Sequence, residues 1–184
     1  MNSEYTLQIE KCTAYRKDRE RNRNLALRNQ DYLKVVVATA VDPDHKNQHQ
    51  ACWILELVCE KKLKTVLPYV SLFLNHAPQF KNDSAIRSAS KICLFLTKSN
   101  HRANGISLTL HQETQLIEIC FDRLIKDEKV ATKVYCIKAL FILNKKHPWI
   151  YEELHTILQQ GYHTHSPAYK AIAKNILGKT MKKH

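Results

Sequence analysis

Apolar residues in this chain fall three and four apart, the spacing of a helix with one buried stripe, and a nine-residue version of that pattern returns four times. The copies are His49-Gln50-Ala51-Cys52-Trp53-Ile54-Leu55-Glu56-Leu57, Ile86-Arg87-Ser88-Ala89-Ser90-Lys91-Ile92-Cys93-Leu94, Thr132-Lys133-Val134-Tyr135-Cys136-Ile137-Lys138-Ala139-Leu140 and Tyr169-Lys170-Ala171-Ile172-Ala173-Lys174-Asn175-Ile176-Leu177. Their starts lie 37, 46 and 37 residues apart. A period in that range marks stacked helix pairs, none of which can bury its apolar stripe without a neighbour.

The pattern predicts first helices of the pairs at about 31–41, 64–75, 110–126 and 148–160, and second helices at about 47–62, 84–98, 129–146 and 166–182. Ahead of them, 3–11 reads as a short helix offering Tyr5, Leu7 and Ile9 for packing, and 15–28 as a strongly basic one. Residues 1–29 together predict the cap that a repeat stack needs over its unpaired end. The chain, 1–184, thus reads as one domain with four helix pairs over 30–182.

Local chemistry sets the breaks. Asp42-Pro43-Asp44 stops one helix, because proline disfavours helix in the residue before it. Asn75-His76-Ala77-Pro78 ends another, with Asp83 expected to cap the next. Pro148 suits a first turn, where a missing N–H costs nothing, and Gly161 and Ser166-Pro167 separate the last two helices. Pro68 conflicts with a start at Lys64, so that helix is expected to begin nearer Leu67 or to kink. The one long spacing comes from the polar stretch Asn100-His101-Arg102-Ala103-Asn104-Gly105, an inserted loop that is either plain surface or a binding loop.

Second helices are the more apolar. Val130, Val134, Tyr135, Ile137, Ala139, Leu140, Phe141, Ile142 and Leu143 leave little polar face, as a helix packed on its partner and on both neighbours requires. In three copies a basic residue stands second and a small residue fifth, before a closing leucine: Ile86-Arg87, Ser90 and Cys93-Leu94; Thr132-Lys133, Cys136 and Ala139-Leu140; Tyr169-Lys170, Ala173 and Ile176-Leu177. This resembles the HEAT-type repeat over about 30–182, the first copy departing from it with Gln50 and Trp53. The resemblance implies an all-α, right-handed α–α superhelix, HEAT- or armadillo-like, of about ten helices. The chain also resembles a group of small bacterial proteins that often carry the label adenylosuccinate lyase, through Ala51-Cys52-Trp53-Ile54-Leu55-Glu56, Asp127-Glu128-Lys129-Val130-Ala131 and Ser166-Pro167-Ala168-Tyr169-Lys170-Ala171. Lyases of that superfamily resemble one another in a Gly-Ser-Ser loop followed by Met-Pro-x-Lys-x-Asn. Here there is no Ser-Ser and no Gly-Ser pair, so no lyase activity is expected.

Composition narrows the picture. With 44% apolar and 25% charged residues, global disorder is excluded. No apolar run approaches the roughly 18–20 residues of a membrane span, and the start has no signal-peptide core, so a cytoplasmic protein is expected. Cys12, Cys52, Cys59, Cys93, Cys120 and Cys136 form no Cys-x-x-Cys pair, and most sit in apolar stripes. They read as buried small hydrophobes in a reducing compartment.

Charge carries the strongest functional signal. The net charge is +12, and its layout matters more than its sum. The last three second helices hold Arg87, Lys91, Lys98, Lys129, Lys133, Lys138, Lys145, Lys146, Lys170, Lys174, Lys179, Lys182 and Lys183 with no acid among them. The first helices of the last two pairs hold Glu113, Glu118, Asp122, Glu152 and Glu153 against Arg123 and Lys126. In the fold that the resemblance implies, second helices line the concave face, which segregates positive charge inside the curve. Arg87 with Lys91, and Lys170 with Lys174, are like-charge neighbours one turn apart, which a sequence shaped by stability alone would avoid. Arg87, Lys91, Lys133, Lys138, Lys170 and Lys174 are therefore the candidate binding residues, nucleic acid being the leading partner and an acidic protein the alternative. A purely solubilising face explains the same layout. Arg87 and Lys133 have a second reading, since the HEAT-type Arg often bonds an aspartate six residues earlier; Asp127 precedes Lys133 by six and Asp83 lies near Arg87. The basic run Arg16-Lys17-Asp18-Arg19-Glu20-Arg21-Asn22-Arg23 interleaves acids and reads as a solvated helix face that could extend the strip.

Other chemistry is thin. His45 and His49 near Asp42 and Asp44, and His163 with His165, lack the ligand spacing of a zinc site and read as surface histidines. Trp53 and Trp149 fall at core spacing. No nucleophile elbow, phosphate-cradling glycine loop or dinucleotide fingerprint is present, and no cofactor is expected. A HEAT-like fold also serves bacterial DNA alkylation-repair glycosylases, but no catalytic aspartate can be assigned here. The reading is a non-enzymatic binding module.

Overall fold

Side chains at the helix starts fix much of the architecture. A computed structural model describes residues 3–162 and 166–180 and contains α1 (Ser3–Glu10), α2 (Arg16–Arg28), α3 (Gln30–Val41), α4 (Gln48–Lys62), α5 (Val70–His76), α6 (Asp83–Asn100), α7 (Leu110–Ile125), α8 (Val130–Leu143), α9 (Ile150–Gly161) and α10 (Pro167–Thr180). There is no strand among the described residues. Asn29 caps α3 by accepting from the Asp31 and Tyr32 amides, both at 3.0 Å. Thr109 and Gln112 open α7 with a reciprocal capping box, each side chain accepting from the other's backbone N–H.

Three expected boundaries shift. Asn82, not Asp83, caps α6, its amide oxygen accepting from the Ser84 and Ala85 amides. Pro148 falls in the turn before α9 rather than inside its first turn. Around Pro68 the α-helix does start late, and later than Leu67: α5 begins only at Val70. Leu63–Tyr69 winds as a 3-10 helix and passes into α5, a tighter winding that accommodates the ring.

The helices stack in two rows. α4, α6, α8 and α10 pack successively side by side, with α3, α5, α7 and α9 forming the other row; α3 lies on α4 and α7 on α8. α2 packs on α3 and α4, and α1 on α3, covering the N-terminal end as a cap does. The core runs unbroken between the rows from Ile9 to Ile176. The leucines that close the first three repeats bear out the periodicity, Leu57, Leu94 and Leu140 being buried, while Leu177 of the fourth is half-buried. All six cysteines are buried and unpaired, and burial pushes the Cys12 thiol up to about 11, which leaves it a neutral core group.

One buried cation ties the first-helix row together. Arg123 on α7 gives one guanidinium nitrogen to the carbonyls of Ala77 (3.1 Å), Pro78 (3.0 Å) and Phe80 (3.0 Å), and another to Glu128 at 2.9 Å. It thereby satisfies the carbonyls left open where the 3-10 turn Ala77–Gln79 leads out of α5. In sequence it reads as one more surface charge. Trp149 also departs from expectation. It is 55% exposed, stacked on Phe121 at 6.0 Å, because it precedes α9 and lies outside the core register. Among the described residues no helix is long and apolar enough to cross a membrane.

Candidate functional site

Glu56 governs the first part of the second-helix row. It sits on α4 at the repeat position that Cys93, Ala139 and Ile176 fill in the other copies, and is as buried as they are. A carboxylate in a core column must find donors on the next helix. It takes three from α6: Arg87 Nη2 at 3.3 Å, Ser88 Oγ at 2.7 Å and Lys91 Nζ at 2.8 Å. The like-charge pair Arg87 and Lys91 is thus neutralised by one acid between them, and Lys91 also lies over the Phe95 ring.

These contacts correct the expected ladder. Arg87 bonds Glu56, whereas Asp83 pairs with Lys129 of the neighbouring unit at 3.6 Å. Asp127 makes no ion pair with Lys133, which is only 5% exposed on α8 and carries none among the described residues. Lys91, which has no acidic partner within reach along its own helix, acquires one across helices. Sequence separation hides such partners, 31 to 35 residues away.

The remaining cations differ. Lys98 on α6 and Lys138 on α8 are exposed with no ion pair among the described residues, and so is Lys174 on α10; Lys170 is half-buried and equally unpaired. Lys98 follows Lys91 by seven residues, so the two share one face of α6 two turns apart, whereas Lys145 lies in the turn after α8. Lys145 approaches only His101, at 3.4 Å. The side chain of Lys179, together with Lys182, Lys183, His163 and His165, lies outside the described residues. On α2, Arg16 bonds Glu20 and reaches Glu60 of α4, Asp18 pairs with Arg21 and Glu20 with Arg23, so three of its six cations are answered by acids among the described residues.

A second buried carboxylate organises the far end of the row. Glu113 on α7 is inaccessible to solvent and accepts from Asn100 Nδ2 (2.8 Å), Lys146 Nζ (2.7 Å) and His147 Nε2 (2.9 Å), tying together the ends of α6 and α8. Burial pushes its carboxyl up, but the bonds from Lys146, His147 and Asn100 outweigh burial and leave it below its ordinary 4.5. A lowered folded value contributes stability above the ordinary carboxylate value, lost as pH falls through the folded one. Glu113→Gln should therefore be less stable than the wild type at pH 7, with the gap closing below about pH 4. Urea midpoints at pH 7 and pH 3 measure it; an equal gap at both would mean that the charge of Glu113 is not what the site uses.

The histidines of the α3–α4 turn are structural. His45 Nδ1 accepts from the Asn47 amide at 3.0 Å, and His49 lies edge-on to Trp53, where burial lowers its pKa. Neither belongs to a cluster of three metal-binding side chains among the described residues.

With this geometry in place, comparison with known proteins gives one positive result: the family model of the HEAT repeat domain matches residues 20–180. No curated protein and no solved structure matches the chain significantly.

Proposed function

Since this chain belongs to the HEAT repeat family, whose repeats build binding scaffolds, we propose that its second-helix row takes a nucleic-acid backbone. The family is generally non-enzymatic, and the proposed role is binding without catalysis. The observation that carries the reading is the set of exposed lysines without acidic partners on three successive helices: Lys98, Lys138 and Lys174. Lys91 and Lys98 lie about 10 Å apart along α6, and neighbouring helices of the row stand about as far from one another. That is a lattice on which a phosphate chain can release counterions at several points. Arg87 and Lys91 add less, because Glu56 already engages them, and Lys133 is too buried to contact a backbone directly.

Lys98, Lys138 and Lys174 should tolerate glutamate, since exposed positions change stability by about 0.5 kcal/mol or less each. The triple variant should lose at least tenfold in affinity for a fluorescent duplex or single strand near 50 mM salt. The slope of log affinity against log salt should become shallower by about 2–3, close to one per lost phosphate contact. Anisotropy titrations of both proteins across salt concentrations measure this. Absence of wild-type binding to DNA and RNA at that salt would end the nucleic-acid reading. HEAT repeats typically mediate protein interactions, which favours an acidic protein as the second reading. A saturable stoichiometric complex of modest salt dependence would support it.

A further inference from the structure

The insertion between α6 and α7 walls a cleft of about 350 Å³ against the end of α8, a volume in the range of small-ligand sites. The insertion is tightly held. Ser99 Oγ accepts from the Ile106 amide at 3.2 Å, Asn100 Oδ1 from the Leu108 amide at 2.9 Å, and Gly105 N–H donates to the Arg102 carbonyl at 3.0 Å. Ile106 and Leu108 are buried beneath it. A Cβ at Gly105 would stand 1.6 Å from the Ser99 carbonyl oxygen, so no other residue fits without moving the wall. A segment so bonded gives the cleft a shape before any ligand arrives.

Above an apolar floor that includes Ile142 and Leu143, the lining is rich in donors. Arg102 is exposed and has no ion pair among the described residues. Lys146 uses one N–H on Glu113 and keeps two. Glu113 is the sole acid of the lining, and its oxygens are engaged by three donors. Thr97 is 1% exposed and its hydroxyl has no hydrogen-bond partner. Of the buried threonines left in that condition, Thr39, Thr97 and Thr132, it is Thr97 that lines this cleft. That hydroxyl is itself closed to solvent, so Thr97 belongs to the wall of the cleft and not to the donors that an entering group meets.

We propose that this cleft binds a phosphomonoester group. Arg102 and Lys146 supply the charge, and the exposed Ser107 hydroxyl donates to a phosphate oxygen. A small phosphorylated compound and the 5′-phosphorylated end of a nucleic acid carry the same group, and Lys98, Lys138 and Lys174 are not among the residues that line the cleft. The test follows the amide resonances of Gly105 and Ser107 in the full chain. One arm titrates ribose 5-phosphate against ribose, and the other a short oligonucleotide with and without a 5′-phosphate.

The phosphorylated member of at least one pair should shift these resonances at least tenfold more tightly than its partner. A response confined to the first arm assigns a small-molecule site, and one confined to the second assigns a strand end. Arg102→Glu should weaken binding at least tenfold. Ser107→Ala should weaken it about threefold while leaving the unliganded melting temperature unchanged, an outcome that damage to the fold would not produce. No preference for the phosphorylated member in either arm, or wild-type affinity in both variants, overturns the proposal. The Lys98, Lys138 and Lys174 triple variant should bind ribose 5-phosphate as the wild type does, which separates this site's failure from failure of the nucleic-acid reading.

Discussion

Glu56→Ala is expected to destabilise the protein by about 3–5 kcal/mol, the range for removing one partner of a buried charge pair. The carboxylate is 2% exposed and holds three donors from α6, so alanine leaves Ser88 Oγ buried without its acceptor. It also leaves Arg87 and Lys91 as adjacent like charges with no acid between them. Glu56→Gln should cost less, because the amide oxygen can still accept from Ser88. A cycle with Lys91→Met locates the effect: if the Glu56–Lys91 contact matters, Glu56→Ala should cost at least 1 kcal/mol less in that background. Denaturant unfolding of the four proteins gives the coupling, and a value near zero would show that Lys91 is held by solvent rather than by Glu56.

A comparable loss, about 2–5 kcal/mol, is expected for Leu140→Ala. Leu140 is fully buried in α8, the helix at the centre of the stack, which packs on α6, α7, α9 and α10. Neighbours already bonded to their own helices collapse little into the space that alanine would leave, which places the cost toward the upper half of the range. Leu7→Ala, at a residue 47% exposed on α1, is the matched control and should cost about 1 kcal/mol or less. A Leu140→Ala loss below about 0.5 kcal/mol would contradict the helix register. Loss of the cooperative transition altogether would instead show that the stack cannot stand with a weakened centre.

Much of this protein is legible without its structure, and for a local reason. A helix is built from bonds four residues apart, so apolar spacing reveals the helices and a returning period reveals that they stack. The buried leucines at 57, 94 and 140 and the matching family model over residues 20–180 both follow from that pattern. Where the cap of α6 slipped from Asp83 to Asn82, the competing choices differed by one residue.

Charge was less legible, because its meaning depends on neighbours remote in sequence. Arg87, Lys91 and Lys138 are alike as letters on a helix. Only packing of α4 against α6 brings Glu56 to the first two, and nothing comparable to the third. Arg123 likewise becomes a structural clamp only when α7 meets carbonyls 43 to 46 residues earlier. The cleft beside the insertion needs the end of α8 to close it. The sequence by itself therefore determined the repeats, their order and the inward side of each helix, since these rest on short-range geometry and apolar burial. Tertiary structure alone decided which cations are free to meet a partner, because an ion pair requires two groups within about 4 Å and the chain places them there only by folding.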